Sequence, residues 1–372
     1  MQMRQYPFYF KATVILFGLV LFVYCLSMLS GILVPFAFAL IIAILLNPLV
    51  NQFQRKGVGK VFAIIFSMLI ALLVFGGIMY FISSQVVGFS ENFPILKDKF
   101  YELLKQLQTW VHTNFGISIS RQVELINEAL NSSKALVGQT LGTAVTTLMI
   151  VFILPVYIFL LLFYKMLLLN FLYESFAEKN STQVADILKQ TKSAIQSYMI
   201  GLLIEALIVA AMNSTALLIL GVKYAILLGL IGALLNMLPY IGGIIAIALP
   251  LLMATVTKTG YSTQLGIIIS YIIIQFIDNN FLIPKIVSSK VQINALVSIL
   301  IVLLGGALWG VAGMFLSIPF VAILKIICDR VDGMKPLGKL LGDEIPTKHK
   351  GLIWGRRKVK ASLSEAIINN TK

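Results

Sequence analysis

Asp278 and the amides around it are the residues of this chain best equipped for chemistry. The stretch Gln275, Phe276, Ile277, Asp278, Asn279, Asn280, Phe281, Leu282, Ile283, Pro284 places one carboxyl and three amides among residues that are otherwise as apolar as lipid. On a helix, Gln275, Asp278 and Asn279 share a face through the i, i+3 and i+4 relation, while Asn280 turns partly aside. Such a strip can hydrogen-bond a solute, coordinate a cation, or carry a proton if the carboxyl cycles between its two forms. A carboxyl near the middle of a membrane helix costs about 2.5–3.5 kcal/mol on insertion scales, so it calls for a cavity, an ion or a partner. The plainer alternative is a strip that fixes helix packing close to water.

One other acid falls within an apolar run, Glu205. It comes one turn after Gly201, near the expected membrane boundary, and reads more readily as structural or interfacial than as a ligand. It stays among the candidate substrate- or ion-binding residues with Asp278, Asn279, Gln275, Asn280 and Asn236. Asn213, Ser214 and Thr215 are further candidates for a polar pathway, although mid-helix Ser and Thr are as readily satisfied by their own backbone. Both histidines, His112 and His349, fall in loops, and no HExxH pattern occurs. No histidine relay, metal site or Ser/His nucleophile is therefore expected. The expectation is a non-enzyme without a cofactor, coupled if at all to protons or sodium.

The elements that must hold these residues are membrane helices. Of 372 residues, 59% are hydrophobic and 12% charged, about half the charged share of a soluble domain. Apolar runs at 8–33, 34–50, 61–82, 141–169, 201–222 and 265–283 are each near the length that crosses a bilayer. The first two are separated only by Ser30 and Gly31, which predicts a helical hairpin, and Pro155 predicts a kink in the fourth. Cys25 and Cys328 give no sign of a disulfide framework.

Two further runs, 224–256 and 290–325, exceed 30 residues; as straight helices they would span about 50 Å against a hydrocarbon core of about 30 Å. Each has a break near its centre: Pro239, Gly242 and Gly243 in the first, Gly305, Gly306 and Gly310 in the second. Matching breaks in two apolar segments point to discontinuous helices, which in transporters lie near the substrate. Close helix packing is the competing account of the glycines. The expected fold is thus an all-α polytopic membrane protein with about six spanning helices plus two broken, re-entrant helical hairpins; the alternative is eight single crossings.

The net charge of +14 sits in loops and in the tail. Arg4, Lys11, Arg55, Lys56, Lys60 and the eleven basic residues from Lys325 onward mark cytoplasmic segments by the positive-inside rule, with both termini inside. Hairpins would put Lys285 and Lys290 inside and Lys258 outside; single crossings would reverse all three. Segment 85–138 has five basic and five acidic residues and is expected outside. Within it Leu96, Phe100, Leu103, Leu107 and Trp110 follow helical spacing after Pro94, which predicts amphipathic helices on the bundle or in the interface. The tail run Gly355, Arg356, Arg357, Lys358, Val359, Lys360 reads as a lipid-surface signal, not a nucleic-acid site, because no aromatic stacking module accompanies it. The domain plan that follows is a scaffold at 1–169, a cytoplasmic connector at 170–198, a transport-site unit at 199–327 and a basic tail at 328–372.

The passages AIQSYMIGLLIEALIVA, GVKYAILLGLIGALLNMLPYIGG, DNNFLIP and GGALWGVAGMFLSIPF, in that order, resemble the autoinducer-2 exporter (AI-2E, PerM-like) family of bacterial membrane transporters. Pro239, Gly242, Asp278, Asn279 and Pro284 fall on its pattern. Gly243 stands where a second proline is common, Ser288 or Ser289 where a glycine is usual, and Ala295 where a proline often follows. The resemblance implies an inner-membrane permease that forms homo-oligomers and moves a transport unit against a scaffold, as an elevator does. It implies export of a small hydroxylated solute such as autoinducer-2, or sodium(lithium)/proton antiport. From a different class, a non-transporting membrane anchor that docks through segment 91–137 is the remaining expectation.

Overall fold

The computed structural model describes residues 7–124, 127–128, 144–175, 181–238, 242–258, 260–287 and 293–343, and these contain helices and no strand. Pro239, the segment 129–143 and the basic tail run 355–360 lie outside the described residues. Among the described residues six helices are long and apolar enough to cross a membrane, and one bent pair joins them.

The first two helices, α1 (Phe8–Met28) and α2 (Ser30–Arg55), meet at the single residue Leu29. Leu29 has φ −88° and ψ 10°, nearly the angles of Tyr164 (φ −90°, ψ 11°). At Tyr164 the axes of α4 (Ala144–Phe163) and α5 (Lys165–Glu174) diverge by 61°. Backbone bonds run on across the junction, from Leu29 N–H to the Cys25 carbonyl and from Leu33 N–H to the Leu29 carbonyl, so α1 and α2 do not form the expected hairpin. One residue near the helical region tilts the axis but cannot reverse it. Pro155, where a kink was expected, lies within α4, and a bend of 61° follows nine residues later at Tyr164.

Helix α3 (Lys60–Phe115) runs unbroken for 56 residues, about 84 Å at 1.5 Å per residue. The separate amphipathic helix expected after Pro94 is instead the continuation of this span. It ends at Gly116, whose φ of 67° lets its N–H reach back to the His112 carbonyl. Beyond the apolar part, Lys99 Nζ donates to the Val256 carbonyl at 3.0 Å.

Helix α6 (Ser181–Ile219) is equally continuous, 39 residues that merge the expected connector helix with the fifth span. Gly221, with φ 64°, ends it, and α7 (Ala225–Asn236) and α8 (Gly242–Thr257) follow as two short apolar arms. A methyl placed on Gly221 would lie 3.2 Å from Lys258 Nζ, and one on Gly242 would collide with the Leu235 carbonyl. The two arms thus start and finish at the same end, with a close backbone approach where the chain turns. Leu217, Ala225, Leu228, Ala254, Ile267 and Tyr271 form the core under this hairpin.

Helix α9 (Ser262–Ile277) runs antiparallel to α6: a methyl on Gly266 would meet the Leu220 side chain at 2.6 Å, whereas Asp278 reaches Glu205 fifteen residues earlier on α6. At Asp278 the α-helix gives way to a π-helix, Asp278–Val287.

Helix α10 (Ala295–Arg330) is the second hairpin. It breaks at Trp309 (φ −133°, ψ 20°) and Gly310 (φ 61°, ψ −143°), angles that at Gly310 belong almost to glycine alone. Gly305 and Gly313 oppose each other so closely that a Cβ on either would strike the other's carbonyl. Asn294 ties the open end. Its side-chain oxygen accepts from Val297 N–H at 2.9 Å, and its amide donates to the Leu340 and Gly342 carbonyls at 2.7 and 3.0 Å. The residue before the first arm thus touches α11 (Lys335–Leu341), which follows the second. Here both accounts of the glycines hold at once: Gly310 forms the tip and Gly305 allows the arms to pack.

Candidate functional site

Helices α6 and α9 bring Glu205 and Asp278 together, 4% and 1% exposed. The two carboxyl groups lie within hydrogen-bond reach of each other. Ionised carboxylates only accept hydrogen bonds, so this contact becomes one only with a proton between them. Asn236, the last residue of α7, donates its amide Nδ2 to Asp278 Oδ2 at 2.8 Å. Three elements therefore meet at one carboxyl: a long span, the end of a hairpin arm, and the junction of an α- and a π-helix.

The π-helix explains how the predicted strip divides. Gln275 and Asp278 line a small cavity with Asn213, Asn236 and Tyr271, beside Gly232. Asn279 and Asn280 are exposed. Gln275 donates to Asn279 Oδ1 at 3.3 Å, and Asn280 donates to the Phe276 carbonyl at 2.8 Å. Gly243 stands against the Gln275 amide so closely that any side chain there would displace it. Gly242 packs on the chain at Leu235, whereas Gly305, Gly306 and Gly310 belong to the other hairpin.

The cavity has room for about one water molecule. Around it, hydrogen-bonding capacity is unmet. Among the described residues, the buried side-chain oxygens without a hydrogen-bond partner are Thr191 Oγ1, Glu205 Oε2, Asn213 Oδ1, Gln264 Oε1, Tyr271 Oη and Asp278 Oδ1. Each such group costs about 1–3 kcal/mol if nothing satisfies it. All six lie on α6, on α9 or at the end of α9. No group of three or more His, Cys, Asp or Glu suited to a metal occurs among the described residues.

Sequence reasoning placed Glu205 near a membrane boundary, in a structural or interfacial role, and the structure buries it in the bundle. It lies 24 residues into α6, 4% exposed, with Asp278 beside it. Tyr271, Gln264, Thr191 and Tyr198 were not singled out at all. Thr191 and Tyr198 precede Glu205 by fourteen and seven residues, and Gln264 and Tyr271 precede Asp278 by the same intervals, and that spacing was the available signal.

The profile of the AI-2E family transporters matches residues 15–333. The chain belongs to the AI-2E transporter family. It is similar to TqsA of Escherichia coli (strain K12), an AI-2 transport protein, with 24% identity over 89% of this chain and 95% of the relative. It is also similar to YrrI of Bacillus subtilis (strain 168), with 26% identity over 80% of this chain and 86% of YrrI. PerM of Escherichia coli (strain K12) is 26% identical over 84% of this chain and 89% of PerM. Membership makes this chain a multi-pass membrane transporter, as its apolar helices require.

Proposed function

We propose that this chain is a secondary transporter whose transport step turns on the Glu205–Asp278 carboxyl pair. The observation that carries the reading is that pair itself, buried where a hairpin end meets two antiparallel spans. Intramembrane carboxyls are costly, and two in contact cost more unless a proton, cation or solute neutralises them. Binding and release at such a pair change the charge of the element that carries it. That gives the hairpins a reason to move against the helices around them in an elevator-like step.

For the solute, we propose a small hydroxylated molecule, moved outward across the bacterial inner membrane by a homo-oligomer with cytoplasmic termini. Hydroxyl groups suit the mixed donors and acceptors of Asn213, Asn236 and Gln275. The name of the TqsA relative supports AI-2 as the compound to try first. A second reading, sodium(lithium)/proton antiport, is favoured by the cavity's size. In this conformation it admits a cation or a water, and a solute would need the hairpin to withdraw.

Replacing Asp278 with Asn tests both readings in vesicles and in cells. Loss of cation-driven proton movement supports antiport. Retained ion exchange with lost AI-2 efflux supports the exporter. Wild-type rates of both remove Asp278 from the mechanism.

A further inference from the structure

On α6, Thr191, Tyr198 and Glu205 are seven residues apart, and on α9 and its end so are Gln264, Tyr271 and Asp278. Seven residues are nearly two helical turns, so each row stays on one face with steps of about 10.5 Å. The helices are antiparallel and touch at the two carboxyls. The α6 row therefore runs from the carboxyl pair toward the end of the molecule bearing Asp186 and Arg330, and the α9 row runs toward the end bearing Lys258. Together they cross the protein.

The rows also share a chemical peculiarity. Five of the six buried oxygens left without a partner belong to them, and the sixth, on Asn213, faces the same cavity as Tyr271. A methyl placed on Gly232 would lie 3.2 Å from Asn213 Nδ2 and 3.5 Å from Tyr271 Oη, which shows how near these two groups are. Tyr198 is 7% exposed and close enough to Glu205 to feel its charge. Chance would scatter unmet polar atoms over the bundle. Among the described residues they lie on α6, on α9 or at its end, and five of the six are in register with the carboxyl pair.

Buried polar atoms of this kind are satisfied by ordered water, typically about three bonds to each molecule. We propose that the two rows are half-paths lined with water that deliver protons to the carboxyl pair from opposite sides of the membrane. This deepens the secondary-transport reading and rests on it. In each step a hydrated proton enters one row, each water gains a proton from behind as it passes one ahead, and a carboxylate gains the O–H bond. Release on the other side reverses that bond change, so one proton moves and nothing is oxidised or reduced. The groups acting on the pair are each carboxyl on the other, Asn236 and, from α6, Tyr198. The pair interrupts the path, so protons cross only when it changes partners, and an uncoupled leak is avoided.

The test uses the full chain in proteoliposomes and has two arms. In the first, microsecond X-ray pulses make hydroxyl radicals from water in place. Tyr198 and Tyr271 should oxidise at least as fast as Cys328, a thiol that is fully buried but chemically more reactive. If the thiol oxidises well ahead of both tyrosines, the rows are dry and the proposal is wrong. In the second, oriented vesicles receive a pH jump from one side at a time. Thr191→Val and Tyr198→Phe should slow proton exchange about tenfold or more from the Arg330 side alone, and Gln264→Leu and Tyr271→Phe from the Lys258 side alone. A defect equal from both sides, or none, overturns the half-paths, since a merely structural role has no sidedness. Solute or cation flux without any proton movement would sink this proposal and leave the transport reading standing; absence of all flux would sink that reading as well.

Discussion

Asn236 Nδ2 donates to Asp278 Oδ2 at 2.8 Å across 42 residues of sequence. The bond joins the end of the first hairpin arm to the point where α9 becomes a π-helix. A change in the state of Asp278 is therefore felt directly by the hairpin, and a movement of the hairpin alters what Asp278 can bind.

Asn236→Ala removes that donor and leaves a buried carboxylate oxygen unpaired. The expected loss is about 1 kcal/mol, since hydrogen bonds between membrane helices are worth less than their burial suggests. Transport should fall by more than stability does, because the amide orients the reacting carboxyl. Thermal unfolding in detergent, measured beside flux in vesicles, separates the two. An unfolding loss with unchanged flux would make Asn236 a packing residue only.

Gly310 and Gly313 test the second hairpin. Gly310→Ala forces a side chain into φ 61°, ψ −143°, at a cost of about 1–3 kcal/mol. Gly313→Ala drives a methyl into the Gly305 carbonyl and the Trp309 side chain, with a similar cost from overpacking. Gly76→Ala, inside α3 where a methyl meets nothing within 4 Å, is the control and should leave the unfolding temperature unchanged or raise it slightly. Equal behaviour of all three in thermal unfolding would mean that the arms do not pack as described.

Much of this architecture could be read from the chain because the bilayer permits so few solutions. The length of apolar runs located the spans, and the glycines in 295–330 marked a fold-back. What could not be read depends on angles at single residues and on partners far apart in sequence. Nothing in Ser30 and Gly31 says whether a helix bends or reverses; that is decided by ψ at Leu29. Pro94 looked like a boundary, yet α3 passes through it, since a proline costs a helix one hydrogen bond and some strain but need not end it. Asp278 stood out as a charge in an apolar run. The importance of Glu205 emerges only when folding sets it beside Asp278, 73 residues further along the chain.

The base of α10 is tied to the start of α6 by Arg330. Its Nε lies 2.8 Å from Asp186 Oδ2, and its carbonyl accepts from the Gln183 side chain. The side chains are 20% and 52% exposed, so solvent screens the ion pair and its contribution is small. Asp186→Arg should lower stability slightly and less so in high salt, and adding Arg330→Asp should restore it. A double variant no more stable than the single one would show that the charges do not interact in solution.

The placement of the two hairpin ends gives the sharpest test of topology. Gly221 and Lys258 meet at one end of the molecule, whereas Asn294 meets Leu340 and Gly342 at the end that carries Arg330 and α11. If the basic end faces the cytoplasm, a cysteine at position 258 is exposed outside the cell and one at 285 is not. Each is introduced singly in a background without Cys25 and Cys328, the two native thiols. An impermeant thiol reagent applied to whole cells should label 258 and spare 285, and permeabilised cells should label both. Labelling of 285 with protection of 258 would mean that the first hairpin opens inward, and the two half-paths to Glu205 and Asp278 would exchange sides.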